Sequence, residues 1–344
     1  MSEEIANIQI LPNSALVNRT KETVLAFVDE VNLDESAKKY IIGSLSENTI
    51  RAYQSDLKIF RYWCEDKNLK WLPATPNTIA NFLSTQALAK DDDELKAVTI
   101  IRRTCAVRYA HQLAGFDTLP TNSLVVRKTL RGIMRQKLIA PDRKKPATAD
   151  IIKMMADMAD DSLIGIRDRA ILLVGFAGAF RRSELVAMQV DDIDIEENGM
   201  AIMIRKSKTD QVGEGKPKPI LRGESYCPVA ALQFWLRAAD IASGYVFRQI
   251  KKGGRVYSNN DPEKPDLSDR MVANIVKKYA DMIGLDSTLY SGHSLRRGFI
   301  TSALLAGASI AKTMEVSQHK DPKTTMRYFD DLHQFEGHAG EGLL

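Results

Sequence analysis

The sequence predicts a mainly α-helical protein with two domains and one small β-sheet, and three observations support this fold class. The chain of 344 residues is long enough to build two hydrophobic cores. Apolar residues recur at helical spacing along most of its length, whereas strand-like alternation first occurs at about residue 190. Residues 140–147 contain two prolines among charged residues, which excludes a continuous helix and predicts an extended linker.

A helical bundle is predicted for residues 41–139, after a flexible lead-in over residues 1–40. Ser46 can cap its first helix, because a serine hydroxyl accepts a hydrogen bond from an N–H group of the first turn. Apolar residues then step by three or four positions, as on one face of a helix. These residues are Ile50, Tyr53, Leu57, Phe60 and Cys64.

Three further helices complete the predicted bundle. Thr75 followed by Pro76 is typical of a helix start, with a capping residue and then proline at the first helical position. A third helix is predicted over residues 96–114. Its core-facing residues are predicted to be Val98, Ile101, Cys105 and Tyr109. Residues 122–137 predict a fourth helix with a strongly basic outer face.

The second domain is predicted over residues 148–344. Residues 200–205 and 216–221 have the composition of two strands that pair across a glycine-containing turn. Helical periodicity returns after these strands. The later helices are predicted at residues 228–239, 268–283, 294–306 and 309–318. This domain is therefore mainly helical with one small sheet.

The distribution of charge favours a nucleic-acid partner more than the total charge does. The net charge is only +4. Residues 127–145 nevertheless hold eight basic residues and one acidic residue, whereas residues 191–197 hold five acidic residues. A basic stripe within a nearly balanced chain is typical of contact with a phosphate backbone, although a solvated helix face would also produce it.

The sequence also indicates the cellular compartment of the protein. The three cysteines lie far apart without a Cys-x-x-Cys pair, which argues against a disulfide framework and a structural zinc site. The first residues lack the pattern of a signal peptide, and the longest apolar run, Ala170 to Phe180, is too short to span a bilayer. We expect a soluble, cytoplasmic, DNA-associated protein that needs no membrane.

Six residues spread over 148 positions have the chemistry needed to attack a phosphodiester without a metal. A tyrosine can act as the nucleophile once a positive site offsets its ordinary pKa of about 10. Arginines match two phosphate oxygens with their planar fork, while a lysine or histidine can move a proton. The six are Arg181, Lys208, His293, Arg296, His319 and Tyr328.

In this order the residues resemble the tyrosine recombinase (integrase) family, and the chain layout resembles the Cre-type simple recombinases. The resemblance rests on Arg-Arg-Ser-Glu-Leu, Lys-Ser-Lys-Thr, His-Ser-Leu-Arg and the interval of nine positions from His319 to Tyr328. It implies that Tyr328 attacks to form a 3′-phosphotyrosyl link, that Lys208 protonates the 5′ oxygen and that Glu184 orients the site. The transition state would be stabilised by Arg181, Arg296, His293 and His319. No metal and no cofactor are implied.

Some assignments have rivals within the chain. Arg182 competes with Arg181, although the family motif places its arginine three residues before the acid, which selects Arg181. Lys208 competes with Lys206, Lys216 and Lys218. The sequence also departs from the family at two places, with Ala-Phe instead of Gly-Leu before the first arginine and Ser-Gln instead of Leu-Gly before the second histidine.

The resemblance further implies that two domains form a C-shaped clamp around duplex DNA with an inverted-repeat site. Groove or backbone contacts are predicted for Thr49, Arg51, Arg102 and Arg103. Phosphate contacts are predicted for Arg127, Arg131, Arg135, Lys251, Lys252 and Arg255. Four protomers would act on two sites, with the segment after Tyr328 docked in a neighbour, while the free protein would be a monomer or weak oligomer.

Two other classes of function compete with site-specific recombination. A type IB topoisomerase-like relaxase shares similar residues but would act as a monomer without site preference. A catalytically silent DNA-binding regulator needs only the basic surface, so the complete set of six residues counts against it. A metal-dependent nuclease is disfavoured because no pair of carboxylates accompanies the six residues.

Overall fold

The structure is a computed structural model in which the chain forms two compact units. The first unit ends at Pro141 and the second begins at Asp142. The described residues are 34–89, 94–137, 144–205, 216–258, 261, 266–319 and 321–333. Across these ranges, no helix has both the length and the apolar character needed to cross a membrane.

The first unit is helical in all of its described regular segments, apart from a short 3₁₀ turn. Its helices are α1 (Glu35–Gly43), α2 (Glu47–Asp66), α3 (Pro76–Leu88), α4 (Ala97–Leu113) and α5 (Leu124–Gln136). The predicted caps are confirmed: Ser46 accepts a hydrogen bond from Thr49 N, and Thr75 accepts one from Thr78 N. Each cap satisfies an N–H group that has no partner within the helix.

Aromatic and apolar side chains fill the core of the first unit. The rings of Phe60 and Phe82 lie 4.9 Å apart in an edge-on arrangement, and Trp63 packs on Phe82 at 5.5 Å. Cys64 is fully buried beside them, as the helical spacing predicted. His111 is also buried and accepts a hydrogen bond from Ala74 N at its Nε2 atom, so it fixes the segment before α3.

The predicted core-facing side of α4 is wrong. Val98 is 71% exposed and Cys105 is exposed as well. The buried residues lie on nearly the opposite side of the helix: Ile100, Arg103, Thr104, Ala106, Val107, Ala110 and His111. This face was overlooked because it contains two strongly polar residues, which periodicity read from apolar residues alone assigns to solvent.

The second unit is mainly helical and contains one antiparallel sheet. Its helices are α6 (Ala149–Asp157), α7 (Leu163–Ala177), α8 (Arg182–Ala187), α9 (Pro228–Ala238), α10 (Asp269–Met282), α11 (Gly292–Leu305), α12 (Ile310–Ser317) and α13 (Pro322–His333). The strands are β1 (Ile193–Glu196), β2 (Gly199–Ile204) and β3 (Lys216–Leu221), in the order β1-β2-β3. The predicted mainly helical fold with a small sheet is confirmed.

The sheet has one face toward the core. Met200, Ile202 and Ile204 are buried along β2, with exposed or half-buried residues between them. Ile202 stands opposite Lys218 on β3, and Met200 stands opposite Ile220. Lys218 and Ile220 therefore share the inner face of β3, because alternate residues of a strand point to the same side.

Helix α7 is buried along almost its entire length and ends beside the candidate site. Its last turn continues into Gly178 and Ala179, and Ala179 has a left-handed backbone with φ of +46°. A side chain at Gly178 would meet the ring of Phe180 at 2.2 Å, so the turn is tightly packed. This turn delivers the chain directly to Arg181 and helix α8.

Candidate active site

Arg181 is held at the start of helix α8 by its own helix. Glu184 accepts a hydrogen bond from Arg181 N at 2.9 Å with one carboxylate oxygen and from Arg181 Nη1 at 2.5 Å with the other. Glu184 is buried, and burial alone would raise the pKa of its carboxyl. Lys218 and Arg181 outweigh this and lower that pKa below its usual value, so the carboxylate stays charged.

Arg182 lies differently from its neighbour. Its Nη2 atom is 3.8 Å from a carboxylate oxygen of Asp269 on α10, and its side chain is 42% exposed. The guanidinium of Arg181 is instead fixed on Glu184 within the site. This geometry favours Arg181 over Arg182 as the residue that serves the site.

Arg296 on helix α11 is the most deeply buried cation of the predicted set, with 1% exposure. Its Nη1 atom donates to the carbonyl of Ala179 at 2.9 Å. Its Nη2 atom is buried and has no hydrogen-bond partner among the described residues. Burial and the nearby Arg181 lower the pKa of Arg296 to about 10, so it stays charged at neutral pH. An unfilled buried donor on a charged guanidinium is suited to bind an anionic oxygen.

Both predicted histidines are uncharged at neutral pH. His293 lies in the first turn of α11 with part of its surface exposed, and shielding of its ring from water, followed by the guanidinium of Arg296, lowers its pKa to about 4. Burial, then Arg296 and Arg181, lower the pKa of His319 to about 4 as well. A neutral imidazole can still donate one hydrogen bond to a phosphate oxygen.

His319 follows a tight backbone turn and is anchored to the last described helix. Gln318 ends α12 with a left-handed backbone at φ of +52°, a conformation that glycine adopts at less cost. This explains the preference of the family for glycine there. The Nδ1 atom of His319 lies 2.9 Å from the hydroxyl oxygen of Thr325, which is fully buried on α13.

Tyr328 lies on α13, six residues after Pro322, at the edge of this cationic cluster. Its ring is 5.4 Å from the guanidinium of Arg297, and it interacts electrostatically with Arg296. Arg297 also donates to the carbonyl of Lys144 at 2.6 Å. Sequence reasoning overlooked Arg297, although its position next to Arg296 placed it beside the site.

The lysine of the predicted set cannot be located, since Lys208 and Lys206 lie outside the described residues. Its competitor Lys218 is described and has no exposed surface. Its Nζ atom donates to Gly178 O at 2.9 Å and lies 3.7 Å from Glu184 Oε2. Lys218 is thus buried against the Gly178 carbonyl and Glu184 and has no contact with solvent.

The predicted DNA contacts in the first unit differ in exposure. Arg51 is exposed on α2, where Thr49 Oγ1 lies 2.8 Å from the capping hydroxyl of Ser46. Arg102 is 47% exposed and binds both oxygens of Asp56. Arg103 is only 4% exposed, so its guanidinium is placed for an internal role and does not suit direct contact with DNA.

The predicted phosphate contacts divide into exposed side chains on a helix and side chains that pair with a carboxylate. Three of them are exposed on the basic helix α5: Arg127, Arg131 and Arg135. In the loop of the second unit, Lys251 and Arg255 both pair with Asp261, at 2.8 and 2.9 Å. Lys252 is exposed between them. The shared carboxylate reduces the positive charge that this loop can offer to a phosphate.

The fold and the cluster together define a class of DNA-processing enzymes with an arginine-rich site around a tyrosine. Comparison with known proteins supports this class. Residues 147–334 match the phage integrase family, and residues 38–115 match the phage integrase N-terminal SAM-like domain. No group of three or more candidate metal-ligating side chains occurs in the described ranges.

Individual relatives agree with the family matches. The chain is 38% identical over 312 residues to an integrase/recombinase XerD homolog of Selenomonas ruminantium, covering 89% of this chain and 88% of the relative. It is 24% identical to the recombinase Cre of Escherichia phage P1, covering 84% and 85%. The fold resembles XerH recombinase bound to palindromic difH substrate, with a TM-score of 0.60, 14% identity, and coverage of 94% and 92%.

The chain belongs to the phage integrase family. It is a tyrosine-type site-specific DNA recombinase, an enzyme that breaks and rejoins DNA strands by transesterification. The predicted family, fold class and enzyme class are therefore confirmed. The roles of single residues, the target site and the assembly stay predictions.

Proposed function

We propose that this recombinase cuts DNA by attack of the Tyr328 hydroxyl on a phosphodiester, with Arg181 and Arg296 binding the nonbridging oxygens. The observation that supports this most directly is the buried, unfilled Nη2 donor of Arg296 beside Arg181 and within electrostatic reach of Tyr328. Fixed donors of this kind stabilise the extra negative charge of a transition state without rearrangement at the moment of reaction.

The proposed step forms one phosphate ester and breaks another. The Tyr328 oxygen bonds to phosphorus and gives its proton to water, while the bond to the 5′ oxygen breaks and that oxygen takes a proton from Lys208. The product is a 3′-phosphotyrosyl link. Because the number of ester bonds is conserved, attack by another 5′ hydroxyl rejoins DNA without an external energy source. His293 and His319 donate hydrogen bonds to the phosphate in their neutral forms.

The nucleophile assignment is tested by trapping on DNA in EDTA. The protein is incubated with fragmented DNA, the reaction is quenched with detergent, and the DNA that remains covalently bound is sequenced. We expect one enriched inverted repeat, linked through its 3′ phosphate to Tyr328. Tyr328→Phe is expected to lower covalent product at least about 10³-fold while site binding persists. Full activity of this variant would refute the assignment.

The general acid is tested with a modified substrate. Lys208→Ala is expected to slow cleavage of ordinary DNA by about 10²-fold, because an alkoxide leaves poorly without a proton. A 5′ bridging sulfur leaves without protonation, so this substrate should restore the rate of Lys208→Ala. The same substrate should not restore Tyr328→Phe, and failure to rescue Lys208→Ala would move the role to another residue.

We also propose that four protomers act on two inverted-repeat sites, in the manner of a Cre-type simple recombinase, with the two domains clamped around the duplex. The inverted-repeat site is supported by the solved XerH complex, whose substrate is palindromic, and the Cre-type layout is supported by the similarity to the recombinase Cre. Analytical ultracentrifugation with DNA of one and two sites measures the stoichiometry. Scattered covalent adducts from a monomer would favour a topoisomerase-like relaxase, and no adducts would favour a silent DNA binder.

A further inference from the structure

Lys218 occupies an unusual place for a lysine. It stands on the inner face of β3, opposite Ile202, and none of its surface is exposed. Its Nζ atom lies 2.9 Å from Gly178 O, 3.4 Å from Ala179 O and 3.7 Å from Glu184 Oε2. The same atom lies 4.9 Å from the centre of the Phe180 ring. All of these partners belong to the α7–α8 turn or to α8.

An apolar residue would be the simpler choice for this position. Its neighbours on the inner face of the sheet are apolar, and removal of an ammonium group from water is unfavourable unless partners replace the lost hydration. Burial lowers the pKa of Lys218 to about 7, with Arg296 and Arg181 acting in the same direction and Glu184 opposing them. The cost of burial suggests a role that an apolar side chain could not perform.

Lys218 contacts the supports of both proposed phosphate-binding arginines. The carbonyl of Ala179 accepts from Lys218 and also from Arg296 Nη1 at 2.9 Å. The Glu184 oxygen that lies 3.7 Å from Lys218 is the oxygen that accepts from Arg181 N. One side chain thus links the support of Arg296 to the support of Arg181.

The α7–α8 turn, which carries the Gly178 and Ala179 carbonyls, requires hydrogen-bond donors that hold it in place. Ala179 has a left-handed backbone, which is unfavourable by about 1–2 kcal/mol for a residue with a Cβ atom. Two cationic donors converge on its carbonyl and on that of Gly178. Charge-assisted hydrogen bonds are stronger than those between neutral groups, so they can fix the carbonyl direction despite the strain.

We propose that Lys218 is a positioning residue for strand cleavage, which sets the geometry of Arg181 and Arg296 through Glu184 and the Ala179 carbonyl without contacting DNA. This inference rests on the proposed roles of the two arginines. It differs from the hypothesis that Lys218 is the general acid, which requires its ammonium to reach the 5′ oxygen. The complete burial of Lys218 and its three oxygen neighbours favour the positioning role.

The test compares full-length Lys218→Met with wild type on a nicked suicide substrate that traps the covalent product. Methionine has nearly the length of lysine and suits an apolar core, so it removes the ammonium while filling most of its space. We expect the single-turnover cleavage rate to fall about 10²-fold, with DNA binding changed less than about threefold. Lys277→Met, an exposed lysine on α10, is the matched control and should cleave at the wild-type rate.

A pH series separates positioning from packing. Among the described residues, the charged or titratable groups that interact with Lys218 are Glu184 and Arg181 at α8, Arg296 on α11 and His319 after α12. If the ammonium orients them, the ratio of wild-type rate to Lys218→Met rate should be largest near pH 6 and should decrease toward pH 8. A ratio that stays constant from pH 6 to pH 8 would indicate a packing effect and would overturn the proposal.

Two further measurements keep the result interpretable. Lys218→Gln retains an N–H donor and should recover part of the cleavage rate lost in Lys218→Met; equal loss in both folded variants would contradict positioning through the carbonyls. If Lys218→Met does not fold, the cleavage rate of Lys218→Gln is compared with that of wild type. A Lys218→Gln rate equal to the wild-type rate overturns the proposal. Rescue of either variant by the 5′ bridging sulfur would also overturn it, because Lys218 would then be the acid.

Failure of this inference is distinguishable from failure of the proposed function. If wild type forms no covalent product that depends on Tyr328, the proposed chemistry is wrong, whatever Lys218 does. If wild type forms that product and both Lys218 variants form it at the wild-type rate, only the proposed role of Lys218 is wrong.

Discussion

Each unit of the protein buries an arginine beside a second arginine and one carboxylate, but the two clusters are completed differently. In the first unit, Arg102 binds both oxygens of Asp56, and Arg103 lies 3.6 Å from the same carboxylate. In the second unit, Arg296 forms no ion pair within the described residues and donates instead to a backbone carbonyl. Both arginines keep buried donors without a hydrogen-bond partner among the described residues, Nε and Nη1 in Arg103 and Nη2 in Arg296, but only Arg103 has a carboxylate within 4 Å of its guanidinium there.

This difference shows how a buried arginine indicates function. Removal of a charge from water is unfavourable, so a buried arginine requires an explanation wherever it occurs. For Arg103 the adjacent Asp56 supplies that explanation, since its negative charge opposes the lowering of the arginine pKa by burial. For Arg296, Arg181 lowers the pKa further, and Glu184 opposes this only in part. A DNA phosphate would relieve this excess of positive charge.

The comparison is tested most strongly by matched substitutions of the two buried arginines. Arg296→Gln is expected to lower cleavage by about 10²–10³-fold, because it removes a fixed donor to the developing phosphate charge. Arg103→Gln is expected to leave cleavage within about threefold and to lower stability by about 1–3 kcal/mol, because Asp56 loses one of its partners. Single-turnover cleavage and urea unfolding measure the two effects. The comparison fails if Arg103→Gln abolishes cleavage in the folded protein.

A smaller effect, on DNA binding, is expected from the titration of the two histidines in the second unit. Both His293 and His319 have pKa values of about 4, and an ordinary histidine titrates near 6.5. A bound phosphate favours the charged imidazole and so raises these values. Binding should therefore take up protons between about pH 4 and pH 6.5 and strengthen as pH falls, by up to about tenfold per pH unit for each proton.

Calorimetry in two buffers of different ionisation enthalpy measures this proton uptake. His319→Phe should reduce it. His111 in the first unit has a pKa lowered by burial, and its ring is bonded within its own domain, so His111→Gln should leave the uptake unchanged. The folded protein itself should lose stability as pH falls below 6.5, because the unfolded chain then binds more protons. Equal proton uptake in His319→Phe and wild type would exclude this histidine from the phosphate site.

The smallest effect concerns the turn before α8. Ala179→Gly removes the Cβ atom from a left-handed backbone and is expected to stabilise the protein by about 0.5–1 kcal/mol after the entropy of glycine is deducted. Ala177→Gly, two residues earlier in helix α7, should destabilise by a similar amount. Urea unfolding measures both changes. Destabilisation by Ala179→Gly would show that the alanine side chain has a packing role greater than its strain.

The elements that the sequence predicted well are those with strong local signals. Ser46 and Thr75 cap helices as predicted, because capping depends on residues within one turn. The strand β1 was overlooked, since Ile193–Glu196 lies in an acidic stretch and most of it is exposed at the edge of the sheet. The alternation Ile-Asp-Ile-Glu is present in the sequence, but it covers only four residues, the shortest run that can indicate a strand.

Within the candidate site, motif spacing predicted the arginines, the histidines and the tyrosine that the structure places in one cluster. It did not predict the place of Lys218, since lysines near a hairpin are usually solvated. A usable signal was present, because the two-residue period of β3 puts Lys218 on the same face as Ile220. Its contacts with Glu184 and the α7–α8 turn could not be predicted, because they join segments about 35–40 residues apart.

Helix α8 has only six residues, which is too short for a helix to persist without support. At its start, the Glu184 carboxylate accepts a hydrogen bond from Arg181 N, and these two residues are the same pair proposed to serve the chemistry. In a genetic screen for lost recombination, substitutions at either residue would therefore combine two phenotypes, a helix that no longer starts and a phosphate that is no longer bound. Abundance of the variant protein in the cell is the observation that separates them.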